Sequence, residues 1–293
     1  MPITEILVCA NGPGLLESRL KLALQVGRAF QSRIEVVFFR EAQNPSAVPS
    51  YEAGFNASPR HDLARSAWDE EAGRLARAKE TYDRCMKPGH TALTEGSEPA
   101  DAHVASWSEV RGSAADLFPS RARACDLVVA GGPGSDASSS TLDDEISAMA
   151  LLASGRMTLL APRPGHLQDD IFRSVLIAWD DSAAVSRTLA QAMPLVTAAR
   201  EVRLFVGETS PEGATRCNDI LSYLRRKGTH PTVERSVPAL YTIRETLVQQ
   251  AWALGASLIV MGAYKHSRTR EILLGGTTRH VIQHAGCAVL MAS

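Results

Sequence analysis

The chain repeats itself. Leu127-Val128-Val129-Ala130-Gly131-Gly132 returns 131 residues later as Leu258-Ile259-Val260-Met261-Gly262-Ala263. The same offset runs on without a gap, taking Gly155 to Gly286 and Ala161 to Ala292. Near the start, Ile6-Leu7-Val8-Cys9-Ala10-Asn11 matches Val175-Leu176-Ile177-Ala178-Trp179-Asp180 at an offset of 169. A sequence written twice has to fold as two like units, so the repeat limits the architecture before any single element is considered. The offsets differ by 38 residues, so the first copy carries an insertion of that size, placed within 41–100. That stretch holds a Pro/Asn/Ser-rich run (44–59) and then an amphipathic pattern with Leu63, Ala67, Leu75, Tyr82 and Met86. Pro162-Arg163-Pro164-Gly165-His166 reads as the linker, because neither a helix nor a central strand accepts that run. The expected units are residues 1–164 and 165–293.

Each copy alternates strand with helix. After the first strand comes a helix (18–30; 183–197), and then a second strand (34–39; 201–206). Another helix, a third strand (103–110; 233–237) and a helix (113–124; 242–254) follow. A glycine-ended strand, a loop with a helix, and a closing apolar strand (157–161; 288–292) complete the copy. Parallel strands need crossovers, and helices are the usual ones. The expected class is therefore α/β, with two tandem, open, mostly parallel five-stranded sheets flanked by helices. Both closing strands fall at a sheet edge in this order, and exposed edges must be paired or covered. The expected solution is that the two halves pair with each other there, as a pseudo-dimer within one chain.

Charge and composition exclude several classes. Apolar content of 45% and charged content of 22% suit a globular protein, and a net charge of −1 invites no polyanion such as nucleic acid. No apolar run reaches membrane-spanning length, and Met1-Pro2-Ile3-Thr4-Glu5 lacks the basic start of a signal peptide. The five cysteines (Cys9, Cys85, Cys125, Cys217, Cys287) show no paired spacing, which points to a reducing cytoplasm.

The candidate chemistry gathers near the C-terminus. The strand Leu258–Met261 feeds Gly262-Ala263-Tyr264-Lys265-His266, and Gly275-Gly276-Thr277-Thr278-Arg279 then opens a helix that continues over 280–285. Glycine lets backbone approach an anion, and the first free N–H groups of a helix point at it. In open α/β sheets ligands bind outside the carboxyl ends of strands, at the topological switch point, where Asp180, Gly262 and Gly275 would converge.

Val260-Met261-Gly262-Ala263-Tyr264-Lys265-His266-Ser267-Arg268 with Gly275-Gly276-Thr277-Thr278-Arg279 resembles the universal stress protein family. So do Trp179-Asp180-Asp181-Ser182 after their strand, and His284-Ala285-Gly286-Cys287-Ala288-Val289-Leu290. The resemblance is close in the second half and loose in the first. It implies a nucleotide-binding, Rossmann-like sheet of the HUP type, and adenine nucleotide, ATP with Mg, as the ligand. Carried over, Ala178, Asp180 and Ser182 would line the nucleoside end, with Val206 at the adenine. Met261 and Gly262 would lie beneath the sugar, and Gly275, Gly276 and Thr277 at the phosphates. It further implies a stress-response regulator that reports its nucleotide state to a protein partner, without catalysis or with slow ATP hydrolysis. In the family the closing strands pair across a dimer.

Two positions depart from the family's G-x2-G-x9-G-[S/T] pattern. Gly276 stands where the Ser/Thr belongs, although Thr277 offers a hydroxyl next door. Lys265 stands where the second glycine belongs, and its amine could pair with a phosphate oxygen while its Cβ takes space that glycine leaves free. Retained nucleotide binding and a scaffold that has lost it both stay open on these residues. In the first half the gapless repeat puts Asp144 and Glu145 at the phosphate positions, where carboxylates repel an anion by about 1 kcal/mol per pair in water. Asn11 there replaces the Asp180 carboxylate, so this half is expected to lack a working site.

Other motifs weigh less. His280 and His284 share a helix face but lack the adjacent glutamate of a zinc-protease pair, so metal is not expected. Gly12-Pro13-Gly14 has no third glycine for a dinucleotide fingerprint, and no Walker-type loop is present. Asp180-Asp181-Ser182 also suits a helix cap, and Arg225-Arg226-Lys227-Gly228 a helix end.

Overall fold

In the computed structural model the described residues are 2–40, 58–86, 105–132, 141–207, 213–236, 242–263 and 276–292. The first half contains strands β1 (Glu5–Cys9), β2 (Arg33–Arg40), β3 (Ala105–Arg111), β4 (Leu127–Gly131) and β5 (Met157–Ala161), with helices α1 (Leu16–Phe30), α2 (Ser58–Met86), α3 (Ala114–Ala122) and α4 (Thr141–Ala153). The second half has β6 (Ser174–Trp179), β7 (Glu201–Gly207), β8 (Thr232–Ser236), β9 (Leu258–Met261) and β10 (Ala288–Met291). Its helices are α5 (Ala183–Ala198), α6 (Gly213–Arg226), α7 (Ile243–Leu254) and α8 (Gly276–His284).

All ten strands join one open sheet in the order β3-β2-β1-β4-β5-β10-β9-β6-β7-β8. Among the described residues every pairing within a half is parallel, and the one antiparallel pairing, β5 with β10, joins the halves. Val289 lies opposite Leu160 and Leu290 opposite Leu159. The edges left by each half's closing strand are thus covered by one another, as expected from the sequence. Because β5 and β10 run in opposite senses, the carboxyl ends of the two halves emerge at opposite edges of the sheet. Within each half the strand order reverses beside the first strand, between β1 and β4 and between β6 and β9.

The strands are near-continuous apolar runs because both faces are covered. On one face α1, the end of α2, α5 and α6 pack over Val8, Val129, Val175 and Ile177 in a core continuous across both halves. On the other face the core divides: Phe118 of α3 and Ala150 of α4 lie over Val128, while Leu247 of α7 and Val281 of α8 lie over Ile259 and Val289. The insertion falls between β2 and β3. Its described part, α2, has 29 residues against 14 in its counterpart α6. Leu75, Tyr82 and Met86 of the amphipathic pattern pack against the core, whereas the side chains of Leu63 and Ala67 lie outside the described residues.

The linker forms no helix or strand, and α1 holds it. The Gln25 side-chain amide donates to the Gln168 carbonyl (2.9 Å) and its oxygen accepts from the Ile171 N–H (2.7 Å). Phe172 then meets Phe30 edge to face at 5.9 Å. Backbone conformation repeats along with sequence. Gly155 (φ 65) and Gly286 (φ 64) are both left-handed, and so are Gly12 (φ 82) and Asp181 (φ 57), the residues 169 apart just beyond β1 and β6. Glycine adopts that conformation without cost, and aspartate is among the few other residues that tolerate it.

Some boundaries differ from expectation. The last helix was expected over 280–285, yet α8 runs Gly276–His284, so the second glycine of the pair is already helical. Helix α1 begins at Leu16 rather than 18, after a short 3-10 turn over Pro13–Leu15.

Candidate functional site

The second half brings its expected site residues to the carboxyl ends of β6 and β9, at the reversal of strand order. Ala178 lies beside Met261 in register, and Trp179 beside Val206. Asp180 follows at once and is exposed. One of its carboxylate oxygens accepts the Ser182 N–H at 3.1 Å, and the Ser182 hydroxyl caps α5 by accepting the Val185 N–H at 3.3 Å. The capping role expected for Asp180-Asp181-Ser182 therefore falls to Ser182, with Asp180 bracing it. Val206 and Met261 are buried and Ala178 half-buried, so they form the floor rather than the rim. Gly276 and Thr277 are exposed in the first turn of α8. Lys265 and Gly275 lie outside the described residues.

Gly262 has a packing reason to be glycine. A Cβ there would stand 2.8 Å from the Val185 nitrogen and 3.2 Å from the Ala184 carbonyl carbon, so the start of α5 rests directly on the end of β9. Sequence reasoning assigned that glycine to a ligand and missed the helix.

Three further groups at this end carry no motif. Trp179 is 8% exposed, and its indole N–H is buried with no hydrogen-bond partner. A buried donor left unmade costs about 1–3 kcal/mol, and the ring that carries it packs in the core that α5 and α6 cover. Ile243 and Arg244 open α7, close to Gly207 and Gly276 respectively. A lone apolar residue and a lone arginine in a helical stretch give no signal until the fold sets them beside the strand ends.

The matching end of the first half is closed. Arg19, fully buried on α1, donates to the carbonyls of Cys9 (2.9 Å), Asn11 (3.0 Å) and Gly12. Asn11 is buried and exchanges two hydrogen bonds with the Phe39 backbone, donating to its carbonyl (2.7 Å) and accepting from its N–H (2.8 Å). At the second-half positions, Thr188 bonds the Ala292 backbone instead and Asp180 is exposed. Asp144 and Glu145 belong to α4, with side chains outside the described residues.

Electrostatics around α7 and α8 are local. Glu245 completes a capping box with Thr242, whose backbone N–H donates to its carboxylate at 2.8 Å, and this bond holds its pKa below the usual value. Burial, with His284 and Arg244 nearby, lowers the pKa of His280. The two histidine rings stack at 4.3 Å, and among the described residues no cluster of three potential ligands could hold a metal ion. Burial pushes the Cys125 and Cys287 thiols up to about 12, which makes them poor nucleophiles.

Residues 180–293 match the model of the universal stress protein family. These residues form a universal stress protein domain. The whole chain, with its paired sheet halves, also superposes on a universal stress protein from Archaeoglobus fulgidus DSM 4304, with a TM-score of 0.65 and 14% identity. That match covers 100% of this chain and 97% of the other. A functionally unknown protein from Pseudomonas aeruginosa PAO1 matches with a TM-score of 0.58 and 13% identity over 99% of this chain and 92% of its own. At such identities the likeness is one of fold, so the universal stress protein domain and its tandem partner share an architecture with these proteins. No curated protein matches the sequence. Among the described residues no helix is long and apolar enough to cross a membrane.

Proposed function

We propose that the second half binds an adenine nucleotide, ATP with Mg, and that the chain reports this state to a protein partner rather than turning substrate over. The first half, residues 1–164, then serves as a closed structural or regulatory domain, and residues 165–293 as the binding domain. The observation that carries this reading is the contrast between the two strand ends. Arg19 and Asn11 fill the end of β1, whereas Asp180 at the end of β6 is exposed. Ala178, Asp180 and Ser182 would meet the nucleoside, Val206 the base, and Met261 and Gly262 the sugar. Lys265, Gly275, Gly276 and Thr277 would meet the phosphates, and the Asp180 carboxylate would be offered to a bound Mg.

Gly262 favours a second reading, a nucleotide-independent scaffold of the same fold. Its lack of a Cβ is accounted for by the contact with α5, so no ligand is needed to explain it. Calorimetric titration with ATP, with and without magnesium, separates the two. Binding of one nucleotide per chain, lost in Asp180→Ala, supports the first reading. Absence of heat at millimolar ATP supports the scaffold.

A further inference from the structure

The first turn of α7 reaches both ends of the open site with consecutive side chains. Ile243 Cγ2 lies 3.2 Å from where a Cβ on Gly207 would stand, at the end of β7, immediately after Val206. At 36% exposure Ile243 is one of the few large apolar side chains left facing solvent among the described residues. Arg244 Nη1 lies 3.8 Å from the corresponding point on Gly276, in the first turn of α8. Glu245 and His280 feel the charge of Arg244. One residue thus leans on the strand end assigned to the base, and the next on the helix start assigned to the phosphates. The Trp179 indole N–H, which has no partner, is buried on the opposite face of the sheet, in the core that α5 and α6 cover.

We infer that this turn is the ligand-reading element of the domain, with Ile243 the apolar wall for the nucleoside and Arg244 the counter-charge for the phosphates. The inference rests on the nucleotide reading above and names two specificity residues for it. A guanidinium presents paired donors to phosphate oxygens, and such charge-assisted bonds are stronger than neutral ones. Arg244 would supply positive charge at a phosphate seat where Gly276 has taken the place of a hydroxyl-bearing residue. Ile243 would bury its methyl groups against the sugar or base, which favours nucleosides over bare polyphosphate.

The test compares adenosine, ATP and inorganic tripolyphosphate on the full chain by calorimetry, with thermal unfolding as a control for folding. Arg244→Gln is expected to weaken ATP and tripolyphosphate about tenfold and leave adenosine unchanged. Ile243→Ala is expected to weaken adenosine and ATP severalfold and leave tripolyphosphate unchanged. Undiminished ATP and tripolyphosphate affinity in Arg244→Gln overturns the role of Arg244, and undiminished adenosine affinity in Ile243→Ala that of Ile243. If the unaltered chain takes neither adenosine nor ATP, the nucleotide reading fails, and the wall assigned to Ile243 fails with it. Tripolyphosphate bound by the unaltered chain and lost in Arg244→Gln would still place an anion at Arg244, and no tripolyphosphate binding would remove that too.

Discussion

At the carboxyl end of β1 a guanidinium ties three backbone carbonyls together, those of Cys9, Asn11 and Gly12, while at the equivalent end of β6 an exposed aspartate accepts the N–H of the residue that caps the next helix. The two ends descend from one repeated pattern, down to the left-handed residue after each strand. Among the positions that separate them are Asn11 against Asp180 and Arg19 against Thr188. A site at a topological switch point need not decay by losing its backbone geometry. It can be filled by a side chain that satisfies the same groups a ligand or water would meet, and the sheet then gains stability where it gives up binding.

The sharpest way to break that comparison is to remove the filler. Arg19→Met keeps much of the bulk but leaves three backbone carbonyls without their donor, and unsatisfied buried acceptors cost about 1–3 kcal/mol each before relaxation. Urea unfolding should show a loss of about 3 kcal/mol or more, whereas Thr188→Ala, with one hydroxyl at stake, should lose about 1 kcal/mol. Equal losses at both positions would mean that Arg19 is no more structural than its counterpart.

Next in size is the glycine that ends each central strand. A Cβ on Gly262 meets backbone of α5 at 2.8 Å, whereas one on Gly131 meets only the Leu15 Cδ1 at 2.9 Å, the far end of a side chain. Backbone cannot swing aside and a leucine can, so Gly262→Ala should cost about 1–3 kcal/mol and Gly131→Ala less than about 1 kcal/mol. Thermal unfolding of the two variants side by side would check the order, and a reversal would refute the packing account of Gly262.

The helix starts differ as well. Ser182 caps α5 with its side chain, but Leu15, at the N-cap of α1, makes no side-chain cap. Ser182→Ala is therefore expected to cost about 1 kcal/mol in urea unfolding. Because Asp180 braces Ser182, the same variant should also loosen any ligand held by Asp180; unchanged ligand affinity would show that the two act separately.

The sheet was readable in advance for a definite reason. Parallel strands covered on both faces leave uninterrupted apolar runs, and the repeat supplied each run twice, so Leu127–Gly131 and Leu258–Met261 identified one another. The β5–β10 pairing could be anticipated because two apolar closing strands needed cover. The plug could not. Arg19 sits among Glu17, Ser18 and Lys21, and in sequence nothing separates an arginine that turns into a strand end from one that faces water. Ile243 and Arg244 were hidden for the same reason, since their role depends on the placement of Gly207 and Gly276, distant in sequence and close only once the sheet has formed. Gly262 was visible but its contact with α5 was not, because a glycine required by a neighbouring helix and one required by a ligand leave the same letter.

The smallest difference concerns acid. His280 of α8 corresponds to Met149 in the first half, so only the second half carries a titrating ring at that position. Its surroundings are His284 on its own helix, and Arg244 and Glu245 on α7. Burial, the second ring and the guanidinium all disfavour the charged form, and Glu245 offsets them only in part, so the folded-state pKa lies below the ordinary 6.5. The sign follows from proton counting. As pH falls through 6.5 the unfolded chain takes up a proton at this residue before the folded one does, so stability declines until the folded pKa is passed and then levels off. Above about pH 7 the residue contributes nothing to the pH dependence. Other groups titrate in the same window, so the measurable quantity is the difference between the unaltered chain and His280→Gln in thermal unfolding at pH 7.5 and 5.5. The variant should lose less stability on acidification, and Met149→Gln should leave the acid response as it was. An unaltered chain no more acid-sensitive than His280→Gln would mean that α7 and α8 do not hold this ring against its proton.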